Sequence, residues 1–428
     1  MPAEIAPRQP VAPLPLDLPR LPVLGWETFS GPKASPVPSV LDAPHVRFTT
    51  SGRAAIAIAL QALRIGTGDR VLAPTYHCPT MIAPIVAAGA VPVFFPIDSS
   101  GAARLDAVTE RDFHRVRAVI AAHYFGIPQP MANLRAFCRE RNIALIEDCA
   151  HSLFGMSDGR PVGQWGHYAV ASLTKFFPVM DGGCLASVEG IPAMLATTPP
   201  SVGEQLKSLA NAAEIGARHG RLKGINKVAS GLLGGITWLR IAPKAVVQRR
   251  AAETSRNGDT SKWLADFEPA SLANRAATWW TRWTVRHAHR ARIVDGRRRN
   301  YEQLANLVAD IPGVRALVPT LPDAAAPYVF PLFVEQPETL YQAVRASGIP
   351  VFRWDELWPT CPVIPGDIGR RWATHVFQLG CHQDLGPDDI SRIAERLRLL
   401  VRRAGRSSRR RQPATVIPAQ DPASLRRA

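Results

Sequence analysis

Residues 118–148 read AVIAAHYFGIPQPMANLRAFCRERNIALIED, and the fold turns on them. Ala118-Val119-Ile120-Ala121-Ala122 is an apolar, partly β-branched run, Met131–Arg141 has helical character, and Ala144-Leu145-Ile146-Glu147 is a second strand ending at Asp148. Two apolar strands joined by one helix make a βαβ unit and require a parallel pair. The pattern extends outward. Ala54–Leu63 is predicted helical, Arg70-Val71-Leu72-Ala73 a strand, Thr80–Ala88 a helix ending in a turn at Ala88-Gly89-Ala90, and Val91–Phe95 a strand. Alternation of this kind from about residue 47 to 190 predicts an α/β fold with a mainly parallel sheet flanked by helices. Ligands bind beyond the carboxyl ends of such strands, so Asp148 and the pair His123-Tyr124 stand where chemistry is expected.

At 428 residues the chain outgrows a single core, and two domains are expected. Residues 1–25 read as a disordered Pro-rich leader with no apolar signal region, and 26–275 as a large domain whose stretch 200–275 is an irregular insertion. Residues 276–401 read as one long basic helix over 276–309 followed by a smaller α/β domain, and 402–428 as a disordered basic tail. The apolar run Met81–Ile97 is punctuated by Pro84, Pro92 and Pro96, so it is not a membrane span. Six well-separated cysteines without a C-x-x-C pair suggest neither a metal site nor a disulfide framework, and a cytoplasmic location is expected.

The formal charge of +16 is concentrated in two places. Residues 275–299 and 402–428 each carry eight Arg against one Asp, +7 apiece, leaving the rest near neutral. Nucleic-acid binding by the folded body is therefore not expected. Trp279-Trp280-Thr281-Arg282-Trp283 leaves membrane-surface contact open, although an amphipathic helix with Trp inside and Arg outside is the plainer reading.

Asp148 ends a strand, and Ser172-Leu173-Thr174-Lys175 follows. An acid at a strand end is by itself usually a cap, and a lone lysine a solvated charge. Their order within a parallel sheet changes the odds. A lysine that condenses with an aldehyde must lose its proton, which apolar flanks such as Ala169-Val170-Ala171 and Phe176-Phe177 promote. A carboxylate opposite a pyridine nitrogen keeps the ring protonated as an electron sink. Thr49-Thr50-Ser51-Gly52-Arg53, just before the first Ala-rich helix, supplies donors for a phosphate, with Ser172 a further hydroxyl.

Five segments in order resemble the DegT/StrS aminotransferases, fold-type I enzymes that use pyridoxal 5′-phosphate. They are Ser51-Gly52-Arg53-Ala54-Ala55, Gly66-Thr67-Gly68-Asp69-Arg70-Val71 with Pro74, His123-Tyr124-Phe125-Gly126, Glu147-Asp148-Cys149-Ala150-His151, and Ser172-Leu173-Thr174-Lys175 with Asp181-Gly182-Gly183. The resemblance implies catalytic roles for Lys175, as the Schiff-base lysine and proton carrier, and for Asp148, as partner of the pyridine nitrogen. It places His151 near the ring oxygen, and Ser51, Gly52, Arg53 and Ser172 around the phosphate, with Arg53 replacing the family's usual Thr. It also implies a homodimer working by a ping-pong mechanism, with glutamate as amino donor and a nucleotide-linked keto sugar as acceptor.

Three departures stand out. The family's ring-stacking aromatic aligns with Cys78, which leaves Tyr76 or His77 to stack. The phosphate-site Asn lent by the neighbouring subunit has only Asn226 as a candidate. The small-domain loop reads Phe352-Arg353-Trp354-Asp355-Glu356-Leu357-Trp358, and Arg353 or the arginines at 290–299 are candidates to meet substrate phosphates. A cofactor-binding regulator without turnover is the alternative.

Overall fold

The computed structural model describes residues 14–31, 37–222, 260, 263–264, 274–323 and 325–411. In the large domain, β1 (His45–Thr49) leads into α1 (Gly52–Ala62), followed by β2 (Arg70–Pro74), α2 (Pro79–Ala87), β3 (Val91–Phe95), β4 (Val116–Ala122), α3 (Ala132–Glu140) and β5 (Ala144–Asp148). A two-residue ribbon, β6 (Met156–Ser157) with β7 (Arg160–Pro161), precedes β8 (Tyr168–Ser172) and β9 (Gly183–Ser187). The seven-stranded sheet has the order β1-β9-β8-β5-β4-β2-β3. Only β9 opposes the rest, pairing antiparallel with both β1 and β8. Ala118, Val119 and Ile120 are wholly buried, as the continuous apolar run of a strand covered on both faces requires.

The chain continues through α4 (Val202–Arg218), α5 (Trp279–His287) and α6 (Arg290–Val308). The small domain follows with β10 (Val314–Ala316), β11 (Val329–Val334), α7 (Pro337–Ala346), β12 (Val351–Phe352), α8 (Gly369–His375), β13 (Val376–Gly380) and α9 (Pro387–Arg411). Its sheet, ordered β10-β11-β13-β12, is antiparallel throughout. Among the described residues no helix is long and apolar enough to cross a membrane.

Four expectations about the segments change. Residues 14–25 form a strap on the small domain: Leu16 N–H donates to Ser347 O at 2.8 Å, Arg20 to Val351 O at 3.0 Å and Val23 N–H to Asp384 Oδ2 at 3.1 Å, with Leu18, Val23 and Leu24 buried. Proline-rich chain is stiff and extended, so it can lie as a strap that composition alone reads as loose. The insertion begins with a helix, α4, started by a capping box between Ser201 and Glu204, while Val228–Val247 lies outside the described residues. The single helix expected over 276–309 is broken between α5 and α6. Ala288 is extended there, His289 N–H bonds Thr28 O, and the His289 ring caps Arg292 N–H. Finally, the start of the basic tail is helical. The stripe Ile390, Ile393, Ala394 and Leu397 buries one face of α9, which is described to Arg411.

One polar cluster lies inside the sheet. Glu147 is fully buried and accepts bonds from His123 Nε2 (2.8 Å), Gly163 N (2.7 Å), Trp165 N (3.0 Å) and Gly166 N (3.3 Å). Gln129 N–H donates to His123 Nδ1, which leaves the imidazole proton on Nε2 facing Glu147. His123, Glu147 and Cys149 come close enough to ligate a metal, but the carboxylate is already engaged by these four donors. Burial pushes the Glu147 pKa up, yet the bonds from His123 and the backbone outweigh it and hold the group below its ordinary value. A carboxyl that is more acidic folded than unfolded stabilises the fold above the unfolded value and loses that stabilisation as pH falls through the folded one. Acid titration of the melting temperature should show a loss that begins below about pH 4.3. Glu147→Gln, which turns an NH2 toward N–H donors, should remove about 2–4 kcal/mol in urea unfolding at neutral pH and flatten that acid limb.

Candidate active site

A cavity of about 320 Å³ opens at the carboxyl ends of β4, β5 and β8. Strand pairing sets its floor. Asp148 stands opposite Val170, Cys149 N–H donates to Val170 O at 2.8 Å, and His123 N–H donates to Asp148 O at 3.1 Å. Beyond Ser172 the chain makes a short 3-10 turn, Leu173–Lys175, which brings the lysine over the strand ends. Asp148, His151, Ser172 and Lys175 all line this cavity.

The opposite rim is the start of α1, where Ser51, Gly52 and Arg53 line the cavity. Ser51 is the N-cap, its Oγ accepting from Ala54 N at 3.3 Å. The turn is held by β9, since Gly182 N–H donates to Thr50 O at 2.7 Å. At Gly183 a Cβ would overlap the Ser51 carbonyl and the Gly52 nitrogen, so only glycine lets the antiparallel strand pass this close. The first N–H groups of the helix have no acceptor within it and suit an anion.

The small domain closes the cavity with Tyr328, Phe352, Trp354 and Gln378. Gly126, at φ +89°, makes that closure possible. A Cβ there would overlap Ala326 O and Tyr328 N, and Tyr328 N–H bonds Phe125 O at 2.8 Å. Lys175 Nζ lies 5.1 Å from the centre of the Tyr328 ring. The His151 ring packs between Tyr328 and Trp354, 4.6 Å from each.

Burial penalises every charge here. It lowers the Lys175 pKa, partly opposed by Asp148, and it raises that of Asp148, opposed by the Ala150 N–H bond at 2.8 Å and by Lys175. Burial also holds His151 well below its ordinary value, and so neutral.

Some predicted residues lie elsewhere. Tyr76 and His77 do not line the cavity. Pro79 begins α2 with Cys78 as its N-cap, and this turn sends the two preceding side chains inward. Tyr76 packs on Tyr124, Trp354 and Trp372 and accepts from Gln378 Nε2, while His77 stacks on Phe94 and joins Pro74 O to Trp358 N. Cys78 takes the wall position instead. Of the arginines proposed for substrate phosphates, none lines the cavity, and most are otherwise engaged: Arg353 pairs with Asp355 over the Tyr341 ring, Arg290 with Asp42 and Arg292 with Asp384, while Arg299 is exposed. Arg298 donates to the carbonyls of Pro322, Asp323 and Ala325. Asn226 is outside the described residues. On α5, Trp280 is buried, but Trp279 and Trp283 stay partly exposed, so the inside-outside division is incomplete. Tyr328 and Gln378 were not foreseen; Tyr328 lies in the loop before β11 and Gln378 on β13, and no local motif marks them.

The donor set fits pyridoxal phosphate. A partly buried amine and a buried carboxylate share the cavity, the helix start capped by Ser51 faces it, and Ser172 lines it from the end of β8. His151 Nδ1 and Gln378 Oε1 are buried without a hydrogen-bond partner among the described residues, as groups awaiting a polar ligand would be.

Residues 37–208 match the model of the DegT/DnrJ/EryC1/StrS aminotransferase family. A UDP-N-acetyl-3-dehydro-alpha-D-glucosamine 3-aminotransferase of Acidithiobacillus ferrooxidans is 32% identical over 162 residues, 38% of this chain and 42% of that protein. A dTDP-4-dehydro-2,3,6-trideoxy-D-glucose 4-aminotransferase of Saccharopolyspora spinosa is 27% identical over 288 residues, 66% of this chain and 63% of that one. The matches thus span less than two thirds of these relatives' own lengths. Among solved structures, the aminotransferase TlmJ of Streptoalloteichus hindustanus superposes with a TM-score of 0.57 at 19% identity, over 84% of this chain and 86% of its own. PseC of Helicobacter pylori gives 0.57 at 14%, over 85% and 88%. These two likenesses show the fold, a fold-type I α/β architecture. On the family-model match alone, residues 37–208 form a DegT/DnrJ/EryC1/StrS aminotransferase domain.

Proposed function

We propose that the chain is a pyridoxal-phosphate-dependent aminotransferase that carries an amino group from an amino acid, glutamate by preference, to the keto group of a nucleotide-linked sugar in two half-reactions. One observation carries the reading: Lys175 and Asp148 line one cavity at the carboxyl ends of β5 and β8. The relatives from A. ferrooxidans and S. spinosa are both named for keto sugars carried on nucleotides, which supports the acceptor class. A homodimer in the cytoplasm belongs to the same proposal.

When bound, the cofactor supplies an aldehyde for an amine and a protonated ring that draws electrons from the substrate carbon. The Lys175 amine, kept short of its ordinary proton affinity by burial, is suited to bond that aldehyde and, once displaced, to take and return the proton on the substrate's Cα. Asp148 would hold the ring-nitrogen proton, and Ser51, Ser172 and the start of α1 would hold the phosphate. Neutral His151 can donate or accept at the ring oxygen without adding charge. Tyr328, Phe352 and Trp354 exclude water. Among the described residues lining the cavity, Arg53 and Lys175 are the cations, so Arg53 serves the phosphate.

Lys175→Ala should abolish the visible absorption that the purified protein gains with pyridoxal phosphate and slow transamination by roughly 10²–10⁴-fold. Retention of both would refute the reading, and a wild-type protein whose spectrum glutamate leaves unchanged would favour the regulator. Asp148→Asn removes the anion that favours the ammonium form. In cofactor-free protein it should move the pH midpoint of Lys175 reductive methylation, read by mass spectrometry, downward; an upward shift contradicts the assigned pairing.

A further inference from the structure

Arg297, on α6, is fully buried, and among the described residues no carboxylate forms an ion pair with it. Its guanidinium meets oxygens instead. Nε donates to Gln383 Oε1 at 2.9 Å, Nη1 to Pro327 O and Tyr328 O at 3.0 Å each, and Nη2 to Lys175 O at 2.6 Å. The Phe176 ring lies 4.6 Å from Cζ, and Gln383 Nε2 donates to Phe176 O at 3.0 Å. Burial lowers the Arg297 pKa to about 10, so the group stays charged at neutral pH.

A buried cation without a counter-ion is costly unless its donors are satisfied. Here the acceptors come from three separated segments: the lysine turn, the 327–328 loop and the stretch after β13. A planar fork can hold several carbonyls at fixed angles, which the point charge of lysine cannot. The docking is close, because at Gly296, one residue earlier, a Cβ would lie 2.9 Å from Gln383 Cβ.

We infer that Arg297 is a positioning residue for Lys175, its fork fixing the lysine turn against the loop that presents Tyr328. The inference rests on the role proposed for Lys175. Arg297 reaches Lys175 through that residue's backbone carbonyl. The titratable groups that face the amine are Asp148, Cys78, His151 and Tyr328.

Reductive methylation of Lys175 with formaldehyde in the full-length, cofactor-free protein reads this directly. With Arg297→Gln the turn loosens, water reaches the amine, and the pH midpoint should rise by about one unit toward the ordinary lysine value. Arg297→Lys, which keeps the charge but not the fork, should fall between wild type and Arg297→Gln. If Arg297→Gln does not fold, Gln383→Ala, which removes the bonds to Arg297 Nε and Phe176 O, should shift the midpoint the same way by less. A folded variant with a wild-type midpoint overturns the inference. That result alongside an inactive Lys175→Ala would sink only this inference, whereas an active Lys175→Ala would sink the proposed function and leave the labelling shift standing.

Discussion

Asp148 is buried and Lys175 partly so, and the structure follows from how the cost of their charges is met. Each charged form is penalised by burial, and each is partly restored by the other across the cavity. This balance leaves an amine poised to lose its proton and a carboxylate able to hold one. It survives only if both side chains stay close while remaining dry. The sheet fixes the carboxylate through parallel pairing of β5 with β8, and the small domain supplies the dry roof through Tyr328, Phe352 and Trp354.

The neighbouring acids of β5 show how strand alternation separates duties. Glu147 and Asp148 point to opposite faces. Glu147 meets four donors inside the protein and is held ionised, whereas Asp148 faces a cavity and its burial is only partly offset. The first anchors the floor on which the second stands. His123 belongs to both, since its ring binds Glu147 and its backbone N–H binds Asp148 O.

The alternation of strands and helices was readable because a doubly covered parallel sheet writes itself as continuous apolar runs, and Val91–Phe95 begins and ends where the sequence puts it. Lys175, Asp148, His151, Ser172 and the Ser51-Gly52-Arg53 turn were readable because each sits at an element boundary inside a local motif. Tyr76 and His77 were misjudged for a local reason, the onset of α2 at Pro79, which a one-residue difference in phase decides. Tyr328 and Gln378 meet the site only through the docking of one domain on another, with a glycine at 126 as their trace in sequence. The break between α5 and α6 was likewise invisible, because His289 caps a helix only once Thr28, far away in the chain, accepts its N–H.

The positive charge illustrates the same limit from the electrostatic side. A +7 cluster over residues 275–299 suggests a surface awaiting a polyanion. Four of its eight arginines turn inward or sideways, whereas Arg286 and Arg299 stay exposed. Arg290 and Arg292 meet Asp42 and Asp384, and Arg297 and Arg298 take backbone carbonyls that would otherwise end loops unpaired. Arginine suits this task because it stays charged when buried and offers several donors in one plane. A count of formal charge therefore measures the internal bracing of α6 as much as any outward field, while Arg53 lines the cavity.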